Sequence, residues 1–396
     1  MRLAFWLPRS VHLKIVCPIA AAARRRGHEC VMLSPIGALC GPKDDIGQML
    51  GYDPALKPFD LGIGIASEVD AEIHLRDVDW AITVGLRTAP AIRAYTRASG
   101  VKWAALDNVG DNLLYVLEAS LDGQAALKDW DLATTLSNDA RLYAAGLAHV
   151  AGARRAEFSE IVAVGYPELD QLGFRTMTRE ACRAKWNLPA GRIVLLAPAA
   201  RPANLPRLRR WAWGRWTYAS IVRQIRRFCD RHGAILVTKT RAKHGDPPWL
   251  ADLSDRYIGQ TSFYPFDTLE LVVAADLVVG FASTLAVEAS AVGRPQVWLH
   301  AWPPEESEWP VNLPLRQRFF LERGGLWNNA GARPLYGFGP RWRRHLGFWA
   351  ECAAWPRPTE AGQQEMRAAV ERWAGPLDGK AAERFLDLLE RQHGRR

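Results

Sequence analysis

The stretch LELVVAADLVVGFASTLAVEASAVGRPQVWLH, residues 269–300, packs a great deal of fold information into one segment. An apolar helix end runs into a buried strand centred on Leu277 to Val279, which Gly280 breaks. Ser283 or Thr284 is placed to cap a helix, LAVEASAVG, that stops at Gly293 before Arg294-Pro295. The next strand is PQVWLH. Strand, small-residue turn, capped helix and strand make one right-handed α/β crossover. In such sheets ligands sit outside the carboxyl ends of strands. Ser283 and Thr284 are therefore either ordinary caps or presenters of a helix N-terminus to an anion.

The same alternation runs through the chain. RLAFWL reads as a strand, CPIAAAARRRGHE as a helix closed by Gly27, and CVMLS as a strand. Next come the strand DWAITVG, the helix TAPAIRAYTRASG and the strands VKWAALDN and DLATTLS. The helix NDARLYAAG and a short closing strand, IVAVG, complete this half. GYPELDQLG interrupts the series, and the pattern restarts with the helix REACRAKWNLPAGR. The strand RIVLLAPAA, the helix YASIVRQIRRFCDRHG and the strand AILVTKT lead into the opening stretch. This alternation predicts mostly parallel sheets covered on both faces. Two successive halves divide near residue 170: a first domain over 1–170, a second over 171–375 and a terminal helix over 376–396. In the last hundred residues RQRFFLERGGLW fits a helix, while EAGQQEMRAAVERWA and KAAERFLDLLERQH are clearly helical and free to pack on either half.

Composition narrows the partners. The 51 Lys and Arg residues against 42 Asp and Glu give a formal charge of +9. That excess suits a phosphorylated ligand or an anionic membrane surface, and it is too dispersed for a nucleic-acid binder. Six cysteines without a CxxC pair are expected as free thiols in a reducing cytosol. The charge order around IVCPIAAAARRR is wrong for an export leader, and no long uncharged apolar run predicts a spanning helix. A cytoplasmic protein is expected. The aromatic and basic stretch PRWRRHLGFWAECAAW allows peripheral contact with the inner membrane surface.

Three clusters in the second half follow predicted strands. Arg201 follows RIVLLAP; Lys239, Arg241 and His244 lie in and after AILVTKT; Ser283 and Thr284 follow the strand at Val279. Basic side chains with a helix N-terminus behind them suit a diphosphate. Glu288, next along the helix, reads either as acceptor for a ribose diol or as a surface or N-terminal-turn glutamate aiding the helix dipole. In the first half PRSVHLK offers Arg9, His12 and Lys14, and LDNVGDN offers Asp107, Asn108 and Asp111. His12 and Asp107 are the candidate general bases. His12 also suits a structural role, and Asp107 a turn or cap.

The series IVAVGYPELDQLG, REACRAKWNLPAGRIVLLAP and YPFDTLELVVAADLVVGFASTLAVEASAVGRP resembles the second domain of GT-B enzymes. The nearest groups are the CDP-glycerol glycerophosphotransferases and the UDP-N-acetylglucosamine 2-epimerases. Gly165, Pro167 and Asp170 match their crossover; Asp267, Asp276, Ser283, Thr284, Glu288, Gly293 and Pro295 match the nucleotide half. The resemblance covers about residues 160–300. It implies an α/β GT-B fold, two Rossmann-like domains with parallel sheets facing across a cleft. It also implies a donor site that includes Asp267 and Thr268. A metal-independent transferase without cofactor is then expected, moving a sugar or polyol phosphate from a nucleotide diphosphate to a hydroxyl. The acceptor would be a glycan or lipid-linked chain in envelope or capsule synthesis. The epimerase segment H-x-E-A-G-L-R has no counterpart in WAALDNVGDN, and the glycerophosphotransferase H-G-T-P segment is absent. An epimerase-like isomerase and a catalytically silent nucleotide-binding scaffold are the alternatives.

Overall fold

The computed structural model describes residues 1–7, 12–34, 65–67, 75–86, 100–108, 110–153, 157–174, 178–198, 218–240, 247–258, 267–280, 285–298, 355 and 360–394. The expected helices TAPAIRAYTRASG and RQRFFLERGGLW fall almost wholly outside these residues, as does the stretch PRWRRHLGFWAECAAW except for Trp355. The chain divides into two compact units. The described residues of the first come from 1–174 and 371–394, and those of the second from 178–258, 267–298, 355 and 360–370.

The first unit is built on strands β1 (Arg2–Trp6), β2 (Glu29–Ser34), β3 (Ile65–Ser67), β4 (Trp80–Val84), β5 (Lys102–Leu106), β6 (Leu132–Thr135) and β7 (Ile161–Ala163). They form one sheet in the order β3-β2-β1-β4-β5-β6-β7. Every pairing in it is parallel. All five residues of WAITV in β4 are buried, as a sheet covered on both faces requires. Trp6, Trp80 and Trp103 lie fully inside.

Helix α1 (Leu13–Arg25) starts four residues before the apolar run that announced it and carries Pro18 in its interior. Proline there forfeits one backbone bond, and burial of Leu13, Ile15, Val16 and Cys17 outweighs that loss. The helix closes as expected at Gly27, where φ is +78°, with His28 N donating to Ala23 O at 3.0 Å. Helices α2 (Asp111–Leu121) and α3 (Asn138–Val150) follow β5 and β6; Ser137 caps α3 by accepting from Ala140 N.

The second unit holds α4 (Arg179–Lys185), β8 (Arg192–Ala197), α5 (Tyr218–His232), β9 (Ala234–Lys239), β10 (Arg256–Ile258), α6 (Asp267–Ala274), β11 (Leu277–Gly280), α7 (Leu285–Ala291) and β12 (Gln296–Trp298). The sheet order is β10-β9-β8-β11-β12, again all parallel. Side chains alternate across β8. Val194 and Leu196 pack with Ile221, Ile225 and Phe228 of α5, while Ile193 and Leu195 pack with Leu271 of α6 and Ala289 of α7. Layers on both faces of each sheet are the doubly wound pattern expected from the alternation.

Helix α8 (Glu360–Ala374) contains the boundary between the units, and α9 (Ala381–His393) belongs to the first. Phe385, Leu386 and Leu389 of α9 are fully buried. Its first turn has no side-chain cap of its own. Asp170 supplies one, accepting from Ala382 N at 2.6 Å and Ala381 N at 3.2 Å. Arg26 of the α1 C-cap adds ion pairs to Asp387 and Glu390, at 2.8 and 3.1 Å.

Among the described residues Cys17, Cys30, Cys182 and Cys229 are free thiols. Burial pushes Cys30 up to about 11 and Cys229 up to about 12, so both stay protonated and poorly reactive.

Candidate functional site

A parallel sheet puts every strand's carboxyl end on one edge, and the doubly wound order creates a crevice where the strand order reverses. In the second sheet that point lies between β8 and β11. The register is level there. Gly280 pairs with Ala197 on one side and Trp298 on the other, and Leu196 pairs with Thr238, one step before Lys239. Ala197, Lys239, Gly280 and Trp298 therefore end their strands side by side. Of the sequence candidates in this half, Lys239, Asp267, Thr268 and Glu288 are among the described residues. Lys239 is half-buried, and its Nζ donates to Thr240 O at 2.8 Å. Asp267 and Thr268 open α6, which leads into β11, so they too belong to the carboxyl edge. Arg201, Arg241, His244, Ser283 and Thr284 lie outside the described residues.

Glu288 lies in the first turn of α7 and is 1% exposed. The surface placement is thereby overturned, while the alternative of a first-turn glutamate facing the helix dipole describes its position. The helix carrying it follows the switch-point strand and is anchored from behind. Ser290 Oγ donates to Ala286 O and accepts from Gln296 Nε2 of β12, both at 2.8 Å. A buried carboxylate in the first turn of a helix at the carboxyl edge of a parallel sheet is suited to accept hydrogen bonds from a diol.

Asp276, which the resemblance matched to the nucleotide half, sits at the opposite edge. It directly precedes β11 and accepts from Ile193 N at 2.8 Å, from Arg183 at 3.0 Å and from Arg179. It clamps α4 to the start of the sheet, away from the carboxyl ends.

In the first sheet the order reverses between β1 and β4. His12, at the N-cap of α1 and 5% exposed, opens the helix that follows the switch-point strand β1. Arg9, in the connecting loop, lies outside the described residues. Lys14 donates to Glu168 at 3.1 Å, and Tyr166 donates to the other Glu168 oxygen at 2.6 Å. This buried pair ties the first turn of α1, and so His12, to the GYPELD crossover. The contact of Tyr166 and Lys14 with Glu168 went unnoticed in the sequence. An acid between apolar residues in YPEL was the available signal.

Asp107 follows β5 and is 2% exposed. One carboxylate oxygen accepts from Gly110 N and Asn112 N, both at 3.1 Å; the other accepts from Thr135 Oγ1 at 2.7 Å. Asn112 extends the arrangement, accepting from Leu86 N and donating to Thr134 O, both at 3.0 Å. LDNVGDN thus holds the carboxyl ends of β4, β5 and β6 in place, and the turn-and-cap alternative describes Asp107 as it stands. Among the described residues no group of three or more His, Cys, Asp or Glu residues is placed to hold a metal.

No family model matches the chain, and no curated protein matches it in sequence. Solved structures do match in fold. The wall teichoic acid polymerase TagF is 12% identical with a TM-score of 0.60, covering 100% of this chain and 89% of its own. The UDP co-structure of MnaA from S. aureus is 12% identical at a TM-score of 0.56, covering 99% and 97%. The UDP-GlcNAc 2-epimerase from Neisseria meningitidis, bound to UDP-GlcNAc, is 10% identical at 0.54, covering 99% and 100%. Two parallel, doubly wound sheets in one chain and these likenesses along its whole length give one conclusion: the chain has the GT-B fold of two Rossmann-like domains.

Proposed function

We propose that the protein is a GT-B transferase that binds a nucleotide-diphosphate donor at the carboxyl edge of the second sheet. It moves a sugar or polyol phosphate onto a hydroxyl acceptor. The observation that carries this reading is the buried Glu288 in the first turn of the helix after the switch-point strand. Its carboxylate would accept the ribose hydroxyls. Lys239, Arg201, Arg241 and His244 would neutralise the departing nucleotide, a diphosphate when a sugar is moved and a monophosphate when a polyol phosphate is, and the hydroxyls of Ser283 and Thr284 would donate hydrogen bonds to it. Asp267 and Thr268, at the start of α6, would complete the donor site. The fold is that of proteins captured with UDP and UDP-GlcNAc, which supports a nucleotide-activated donor.

Of the two candidate bases, His12 suits proton transfer better. It stands at the switch point of the first sheet, whereas the Asp107 carboxylate is committed to three hydrogen bonds. A glycan or lipid-linked acceptor in envelope or capsule synthesis fits the class. Among the described residues no helix is long and apolar enough to cross a membrane.

Binding is tested by titrating nucleotides into wild type and a Ser283→Ala/Thr284→Ala double variant. The proposal expects one nucleoside diphosphate to bind wild type and to bind the variant more weakly. Product analysis then separates the chemistries. Transfer releases the nucleotide in step with acceptor consumption, whereas an epimerase would change the sugar with no acceptor present.

A further inference from the structure

The amino edge of the second sheet carries a cationic cluster that the donor site does not use. Arg179 and Arg183 of α4 both pair with Asp276. Arg294, between α7 and β12, donates to Val273 O at 2.8 Å and lies close enough to both other arginines to feel their charge. Among the described residues three guanidiniums thus stand near one carboxylate, Asp276, which pairs with Arg179 and Arg183 and attracts Arg294 without bonding it, leaving two positive charges in excess. Asp276 is already saturated by Arg179, Arg183 and Ile193 N, and the carbonyls of Ala274 and Val273 take Arg183 Nε and Arg294 Nη2. The Nε–H groups of Arg179 and Arg294 are closed to solvent and have no hydrogen-bond partner among the described residues. Burial, and then repulsion from Arg179 and Arg183, pulls the Arg294 pKa down from its ordinary value.

We infer that this cluster is a binding site for a phosphate-class dianion, held between Arg179, Arg183 and Arg294. Guanidinium forks match tetrahedral oxyanions in geometry, and a dianion matches the two uncompensated charges, which chloride or a single carboxylate does not. The Arg179 and Arg183 side chains are about one third and one fifth exposed, so a ligand has an approach to their terminal nitrogens. Both ends of the cluster are sequence-distant: α4 begins the unit and Arg294 precedes its edge strand β12. A bound dianion would fasten the two together. The six residues of β8 span about 17 Å, so this site is separate from the carboxyl edge proposed for the donor. The dianion is either free phosphate or the phosphomonoester of a lipid headgroup.

Inorganic phosphate is titrated into wild type and Arg294→Gln at constant ionic strength, following thermal midpoint and ³¹P linewidth. A saturating nucleoside diphosphate is present to occupy any donor site. Wild type should gain several degrees and broaden the phosphate signal, and the variant should lose both effects while its response to nucleotide stays unchanged. If Arg294→Gln does not fold, Arg179→Gln replaces it with the same expectation. Vesicles of phosphatidylcholine with or without phosphatidic acid separate the sources: flotation only with phosphatidic acid, lost in the variant, assigns the headgroup, and no flotation assigns free phosphate. Equal phosphate response in wild type and variant, or none in wild type, overturns the inference. A failed nucleotide response with an intact phosphate response would sink the donor reading alone.

Discussion

Glu288 is a carboxylate removed from water on a helix whose other described residues are apolar or small. Such burial carries a desolvation cost of several kcal/mol for the ionised form, and a hydroxyl-rich ligand offsets part of it on binding. Glu288→Gln keeps the shape and removes the charge. It should weaken nucleotide binding about tenfold or more, roughly 1.5–3 kcal/mol, as read by calorimetric titration, with the ligand-free midpoint unchanged or raised. The two first-half candidates separate in the same way. His12→Gln should lower kcat by about 10²–10⁴-fold with little change in the donor KM. Asp107→Asn leaves its turn short of an acceptor. It should cost about 1–3 kcal/mol of stability and leave nucleotide affinity intact, a pattern visible by pairing thermal midpoints with titrations.

The elements show how α9 is held on the first unit. Asp170 caps it from 211 residues away, and burial pushes the Asp170 carboxyl from 3.8 up to about 6, against the pull of the Ala382 and Ala381 amides and Arg384. The native state therefore binds more protons than the unfolded chain between those values. This group's contribution to stability is largest below about pH 4 and falls as pH rises to about 6. Asp170→Asn should abolish that slope, so the wild-type midpoint minus that of the variant should shrink from pH 4 to pH 6. An unchanged difference would remove Asp170 as the titrating cap. Close approach secures the other end of the link. At Gly375, φ is +78°, and an added Cβ would stand 2.3 Å from Leu136 O and 2.9 Å from Gly165 Cα. Gly375→Ala should cost about 1–3 kcal/mol in thermal or urea unfolding. The strands and helices that bury one continuous stretch were legible in the sequence, as β1, β5, β11 and α7 show. The three-residue edge strands β3 and β10 went unread, whereas the equally short edge strands β7 and β12 lie in apolar runs that marked them. Pro18 disguised the start of α1, and the distance between Asp170 and Ala381 hid the cap.

At the scale of the whole molecule, the pattern of two α/β halves was legible because a doubly wound sheet repeats one local rule: buried strand, capped helix, buried strand. The row of Ala197, Lys239, Gly280 and Trp298 follows from that rule and the strand order, and among the described sequence candidates it includes Lys239. Local pattern does not reveal which acids are buried. Glu288 read equally well as a surface residue, and Asp276 matched a nucleotide-binding pattern while serving as a clamp at the other edge. The central claim is that the carboxyl edge of the second sheet binds a nucleoside diphosphate through Glu288. The most direct measurement is a thermal-shift panel of UDP, CDP, GDP and CMP on wild type and Glu288→Gln. At about a hundred times its dissociation constant a bound nucleotide stabilises by roughly 2.7 kcal/mol. One diphosphate should therefore raise the wild-type midpoint by a few degrees and the variant's by much less. No shift with any nucleotide in the folded wild type, or an equal shift in both proteins, would contradict the claim.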